Sequence, residues 1–414
     1  MQLNKKIILS WLWVAVCTLA IFFTVPLARS IQDFVSAHIG RSFFGIVVLA
    51  SVGGTFLAVL YILVIKLGTR ALANYLWLIL VSSAYVFFTI HLWENPEESA
   101  HFIEYGLLGI FLFRALRHHI GDKSVYPAAF LLGSMVGIFD EILQWIIPGR
   151  YWDFRDVGLN VLSSGLIQIL IWKGLNPVFP SSRWKPKSVR TVSMLLALNL
   201  MLLGLCFSNR PSRLKKATEI FPFLSALNKQ EAMSEFRYRH KDPDIGIFFS
   251  RLSLEELHEI DFRKAAEYGS FLRTWRDKAY DEYLRVVPGS INPFLHEIRV
   301  HIFRRDKRFA QAANAEKESV MKENLFIAYK ENLILEKHFG HTLARSPYVW
   351  KKGRNEKTRE SIDESAFYKS PVSGGAFAAV REWMMWTFIT GCLVLLCILN
   401  MMVKRSSKTT DQSI

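Results

Sequence analysis

The chain has 414 residues, 51% of them hydrophobic, with a mean hydropathy of +0.19 and a formal net charge of +15. That is too apolar for an average soluble enzyme, and the length allows two or three domains. The charge does not point to nucleic acid, because much of it flanks apolar blocks, where it orients helices or meets anionic lipid headgroups. The cysteines, Cys17, Cys206, Cys392 and Cys397, all lie inside apolar blocks and form no metal-type cluster or disulfide framework.

The apolar residues fall into blocks long enough to cross a bilayer core of about 30 Å as helices. Eight spans are predicted, at 7–28, 43–65, 71–93, 100–117, 125–147, 156–173, 190–207 and 383–403. Each must be helical, since backbone groups cannot stay unpaired in lipid. The fold class is therefore all-α. The first block follows "MQLNKK" without a small-residue cleavage site, so it reads as a retained helix rather than a signal peptide. Lys5 and Lys6, Lys66 and Arg70, Arg114 with Arg117 and Lys123, the cluster from Lys173 to Arg190, and Lys404 with Arg405 mark one side of the membrane. The third connection, "ENPEES", is acidic. The positive-inside rule then puts both termini in the cytoplasm of a bacterial inner-membrane protein. Arg29, Arg41, Arg150 and Arg155 fall on the other side, against the trend.

The stretch 208–381, about 170 residues, is enough for its own core. It falls between the seventh and eighth spans and is expected outside the cytoplasm. The domain plan is thus a membrane domain at 1–207, an extracytoplasmic, mainly helical domain at 208–381, and an anchor with a short tail at 382–414. "LEELHEIDFRKAAEYGSFLRTWRDKAYDEYLRVV", "NPFLHEIRVHIFRR" and "EKESVMKENLFIAYKENLILEKHF" read as amphipathic helices, with prolines at 288, 293 and 347 as punctuation. "DIGIFFS" reads as one strand, and "KKGRNEKTRESIDES" as a solvated loop.

The informative stretch is "GIFDEILQWIIPGRYWDFRDVGLNVLSSG", residues 137–165. Asp140 and Gln144 are four apart and share a face of the fifth span, with Glu141 close to it. Asp140 lies about 10 Å below the end of that span, at 1.5 Å per residue. A charge at mid-bilayer costs on the order of 2.5–3.5 kcal/mol, so two adjacent acids need partners or a proton. "PGRYWDFRD" is a turn in which Pro148 ends the span and Gly149 permits the reversal. Arg150, Asp153, Arg155 and Asp156 follow, and Asp156 opens the sixth span with Asn160 one turn deeper. The fourth span starts at the same surface with "SAHFIEYGLLG", which carries His101, Glu104 and Tyr105. For each residue alone, a helix-locking ion pair or hydrogen bond is as good a reading as a functional one, and a better one for Arg155. For the set, a functional site is favoured, because intramembrane ionisable residues are candidate sites by default.

The pairing of "HFIEYGLLG" with "DEILQWIIPGRYWDFRDVGLN" resembles the VanZ-like membrane proteins over residues 70–175. The matching positions are His101, Glu104, Tyr105, Asp140, Glu141, Gln144, Pro148, Gly149, Arg150, Asp156 and Asn160. The chain departs from the pattern at Glu97 and Glu98, where some members carry an Asp-Lys pair, and at Ser163, where glycine is common. The resemblance implies an association with resistance to glycopeptide antibiotics of the teicoplanin type and supplies no mechanism.

Other patterns carry less. In "HEIRVH" the histidines are five apart, not the four a zinc-protease helix needs. "HFGH" reads as a helix C-terminus ending at Gly340, and "PVSGG" as a flexible entry to the last span. No cofactor, metal or nucleic acid is expected. Three functions stay open. One is an envelope enzyme using Glu141, Asp140 and His101 as acid and base on a lipid-linked or glycan substrate. Glu104, Tyr105, Gln144, Arg150, Asp153, Asp156 and Asn160 would then bind that substrate. The second is a membrane-anchored binder that docks an envelope protein through 208–381. The third, a proton-coupled transporter, fits less well, because transporter sites lie near the midplane.

Overall fold

A computed structural model describes residues 2–93, 95–147, 152–181, 184–223, 232–234, 237–289, 291–351, 353–363, 366–374 and 382–411. The protein is all-α except for one two-stranded hairpin among those residues. It divides into two compact units, Met1–Ser208 with Trp386–Ile414, and Asn209–Met385.

The first unit contains α1 (Gln2–His38), α2 (Ser42–Tyr61), α3 (Leu72–His91), α4 (His101–Leu116), α5 (Val125–Ile146), α6 (Phe154–Ile169) and α7 (Pro186–Ser208). The last helix of the chain, Glu382–Asp411, returns to it. Eight helical stretches, one per predicted span, are long and apolar enough to cross a membrane. α1 overruns its apolar stretch, continuing through Pro26 to His38. Its polar extension is tied down by Gln32 Nε2, which donates to Glu97 Oε1 at 2.6 Å. α2 and α6 each end in a π turn, at Ile62–Lys66 and Leu170–Leu175.

Burial ranks the spans. In α4 and α5, 56% of the span residues are buried, and in α6 44%, against at most 28% in the others. α4, α5 and α6 are therefore the centre of the unit. The outer helices present Ile8, Leu12, Leu57, Phe87, Ile90 and Leu205 outward, a surface suited to acyl chains.

The central helices touch closely because one partner is glycine. A Cβ on Gly109 of α4 would sit 2.4 Å from Ile167 Cγ2 of α6, and Gln168 Nε2 donates to the Gly109 carbonyl at 2.9 Å. On α5, Gly133 and Gly137 are four apart and face Ser164 and Asn160 of α6. Small residues at this spacing let membrane helices pack backbone to backbone.

The second unit holds α8 (Pro211–Ile220), β1 (Tyr238–Asp242), β2 (Gly246–Ser250), α9 (Leu254–Thr274), α10 (Tyr280–Val286), α11 (Pro293–Ala313), α12 (Glu318–His338), α13 (Gly340–Ala344) and α14 (Arg354–Arg359). Ser253 and Glu256 form a capping box at the start of α9. Asn292 Oδ1 accepts from Leu295 N at the start of α11, where Pro293 takes the first turn. β1 and β2 pair antiparallel from Tyr238↔Ser250 to Asp242↔Gly246. Gly246 is required here, since its φ is +111° and a Cβ would meet Tyr368 O at 2.2 Å. Residues 368–370 run beside β2 in parallel: Ile247 N donates to Tyr368 O at 2.9 Å, and Ser370 N to Ile247 O at 2.8 Å.

Three sequence expectations for this unit need correction, and one strand went unpredicted. The strand read in "DIGIFFS" is β2, but its partner β1, "YRHKD", is too polar to signal a strand. The long helical segment at 254–287 breaks at 275–279 into α9 and α10. α14 lies within the charged run read as a loop, and the Arg354 guanidinium covers the Phe309 ring at 4.8 Å. α12 stops at His338, and Gly340 opens α13, whose His341 and Thr342 N–H groups donate to Asp261.

The core of the unit contains two fully buried carboxylates. Glu297 accepts from Ser250 Oγ (2.6 Å), Arg251 N (2.8 Å) and Ser373 Oγ (2.8 Å). The "PVS" segment is therefore fixed rather than loose, while Gly375 lies outside the described residues. Glu331 accepts from His301 Nδ1 (2.5 Å), Arg304 Nε (2.9 Å), Tyr368 Oη (2.6 Å) and Ser370 Oγ (2.8 Å). Burial alone would raise the Glu331 carboxyl, but the His301 charge and these donors hold it below its ordinary range. His296 instead bonds the Val287 carbonyl, so the residues of "HEIRVH" serve three separate places.

His338 is pushed down to about 4, chiefly by burial and then by His258, whose Nε2 is 3.1 Å from its Nδ1. Asp242, 4.0 Å away, pulls the other way, and His240 and Lys337 add to the depression. The unfolded chain takes up this proton near 6.5 and the folded chain only near 4. Stability from His338 is thus complete above pH 6.5 and falls as pH drops toward 4. The depressed Glu331 acts in the same direction below its unfolded value of 4.5. The urea midpoint for protease cleavage within α11 and α12 of the full chain should fall between pH 7 and pH 5. His338→Gln should flatten that slope, and an unchanged slope would refute the assignment.

Candidate functional site

The site forms where the start of α4, the end of α5 and the start of α6 meet. A 3-10 turn, Pro96–Ala100, leads into α4 and is anchored from outside. Arg41 pairs with Glu97 at 2.5 Å, and Arg155 pairs with Glu98 at 2.9 Å. With more than half of its side chain exposed, Arg155 serves this surface anchor, the helix-locking role that its sequence position favoured.

His101 and Tyr105 lie one turn apart on α4, with ring centroids 6.2 Å apart and planes tilted by 43°. His101 Nδ1 lies 3.3 Å from Glu104 Oε2. On α5, Asp140, Glu141 and Gln144 are all buried, and Gln144 Nε2 donates to Glu141 Oε1 at 2.6 Å. Asp153 caps α6 by accepting from Arg155 N at 2.7 Å. Its own N–H points to Glu141 Oε2 at 3.4 Å, joining that cap to α5. Asp156 lies in the first turn of α6, and Asn160 is fully buried one turn deeper. Arg150, with Pro148 and Gly149, lies outside the described residues.

His101, Glu141 and Asp156 come from three different helices. Each brings one ligand atom to within 4.8 Å of the others. A His and two carboxylates are a donor set that divalent metals accept. This grouping depends on how α4 meets α5 and α6, so no local spacing reveals it, and the sequence reading named no metal.

The buried cluster is not internally satisfied. The Tyr105 hydroxyl and the Asp140 carboxylate lie beside each other, while Asn160 Oδ1 has no hydrogen-bond partner among the described residues. Buried polar atoms almost always find one, and each exception asks for an explanation.

Sequence reasoning missed the residues that position this site. Ser163 Oγ donates to the Phe102 carbonyl at 3.1 Å, and Tyr85 Oη donates to the Ser163 carbonyl at 2.9 Å. The serine that departs from the family pattern thus ties α6 to α4 and α3. A Cβ on Gly137 would meet Asn160 Cβ at 2.7 Å. "GSMVG", a G-x-x-x-G at 133–137, was the available signal for that contact.

No curated protein and no solved structure matches the chain. A family match extends further toward the N-terminus than the motif pair alone implied. This fits the packing of α1 on α4 and α5, and of α2 on α3, which makes the first two spans part of the same bundle. Residues 12–176 match the VanZ/LLP1 family model, and with them the chain carries a VanZ-like membrane domain that contains every residue of the candidate site.

Proposed function

We propose that this is a cell-envelope membrane protein whose polar cluster binds and processes a lipid-linked or glycan substrate. The observation that carries the reading is the convergence of buried Asp140, Glu141, Tyr105 and Asn160 beside His101, with Asn160 Oδ1 left without a partner among the described residues. A buried polar group left without a partner costs about 1–3 kcal/mol. A ligand held by this cluster would supply the missing bond. Glu141 and Asp140 would act as acid and base with His101, and Glu104 would orient the imidazole. Gln144, Arg150, Asp153, Asp156 and Asn160 would line the ligand.

The Lys and Arg distribution supports an inner-membrane location with both termini cytoplasmic and the second unit outside. The VanZ-like domain supports a role in tolerance to teicoplanin-type antibiotics. Under this reading Glu141→Gln and Asp140→Asn reach the membrane at wild-type levels and keep their thermal midpoint. They lose any tolerance the wild-type protein confers on an expressing host, and with it at least about a hundredfold of the processing rate, the usual share of an acid or base. Wild-type tolerance in both variants would remove the reading.

One observation favours a scaffold instead. Glu141 accepts from both Gln144 and the Asp153 N–H, so it also splices α5 to the cap of α6. A scaffold, with the second unit docking an envelope protein, would show a lowered midpoint in Glu141→Gln and no separate functional loss.

A further inference from the structure

We propose that the second unit carries a phosphoryl-binding site in the cleft between α11 and residues 371–372. This inference is independent of the cluster in the membrane unit. The cleft has a volume of about 300 Å³, at the small end of ligand pockets. Arg304, Lys307, Arg308 and Gln311 line one side, and Pro371 and Val372 the other. The four α11 residues recur at i, i+3, i+4 and i+7, so they share one helix face. No carboxylate is among the described residues that line it.

Two of the three cations are held in place from behind. Arg304 Nε donates to buried Glu331 at 2.9 Å, and Arg308 Nη1 donates to Asn324 Oδ1 at 3.0 Å. Their guanidinium planes are therefore oriented before any ligand arrives, which lowers the entropic cost of binding. Glu331 offsets the charge of Arg304. Lys307 and Arg308 have no carboxylate at ion-pair distance among the described residues. Arg304 lies one helical turn from both, and an anion on this face relieves the repulsion that Glu331 leaves.

The donor set points to a phosphoryl group rather than a carboxylate. Two guanidinium edges, an ammonium and an amide offer more hydrogen bonds than two carboxylate oxygens can take up. A phosphate ester or diphosphate presents three or more oxygens and up to two or three charges. The apolar walls leave room for what the phosphate is attached to.

The test titrates inorganic pyrophosphate into the purified full chain in neutral detergent, with binding followed by calorimetry. Wild-type protein should bind saturably, and Lys307→Gln/Arg308→Gln should bind at least tenfold more weakly. Arg263→Gln/Lys264→Gln on α9 is the control, because it removes the same charges from exposed pairs with Glu259 and Glu267. It should bind like wild type. No saturable binding, equal affinity in the α11 variant, or an equal loss in the control would each overturn the site. Short-chain phosphatidic acid binding more tightly than glycerol phosphate would assign the site to a lipid headgroup. Equal affinities would assign it to a soluble phosphate ester.

Discussion

Glu331→Ala is expected to lower the unfolding free energy of the second unit by about 3–5 kcal/mol, the usual effect of removing one partner from a buried ion pair. Glu331 is fully buried, and its two oxygens take four side-chain donors from two parts of the chain. His301 and Arg304 come from α11, and Tyr368 and Ser370 from the segment beside β2. Alanine would strand His301 in the core and cut that segment loose from α12. Glu331→Gln keeps the shape but loses the charge, so it should fall between alanine and wild type. Pulse proteolysis of the full chain across a urea series reads the effect on α11 and α12 directly. A loss under 1 kcal/mol in the alanine variant would mean that the carboxylate is dispensable.

Gly137→Ala is expected to destabilise the membrane unit by about 1–3 kcal/mol through overpacking. The added methyl would lie 2.7 Å from Asn160 Cβ, an atom fixed to its backbone, so α5 and α6 must separate. Separation also moves Asn160, whose Nδ2 lies 3.4 Å from the Gly137 carbonyl. Gly158→Ala is the comparison, because its Cβ would meet nothing within 4 Å in the same helix region of α6. There alanine should be neutral or slightly stabilising, since glycine in a helix costs roughly 0.5–1 kcal/mol relative to alanine. Thermal midpoints of the two purified variants in detergent separate the cases. Equal midpoints would mean that the close helix contact is unimportant.

The parts of the fold legible in the sequence were those set by solvent. Runs of apolar residues had to be helices in lipid, and Asp140, Glu141, Gln144 and Asn160 stood out because each is costly there. Motif adjacency was enough to bring α4, α5 and α6 to one end. What was not legible depended on contacts between distant segments. The extension of α1 past Pro26 rests on Gln32 reaching Glu97. β1 is made a strand by β2, since "YRHKD" has no apolar alternation of its own. The charged residues of α14 and the "PVS" segment look solvated until Phe309 and Glu297 are placed against them. The link from the Asp153 N–H to Glu141 was likewise not legible, because it joins the cap of α6 to α5 across twelve residues.

The pairing of residues 368–370 with Ile247 bears on biosynthesis. The stretch that completes the small sheet and supplies two of the Glu331 donors leaves the ribosome more than a hundred residues after the strand it joins. A nascent chain halted before Tyr368 would leave Glu331 with His301 and Arg304 but without its Tyr368 and Ser370 donors. The second unit therefore reaches its final form only when the last hydrophobic helix is about to emerge, so its maturation is timed to the anchoring of the C-terminal end.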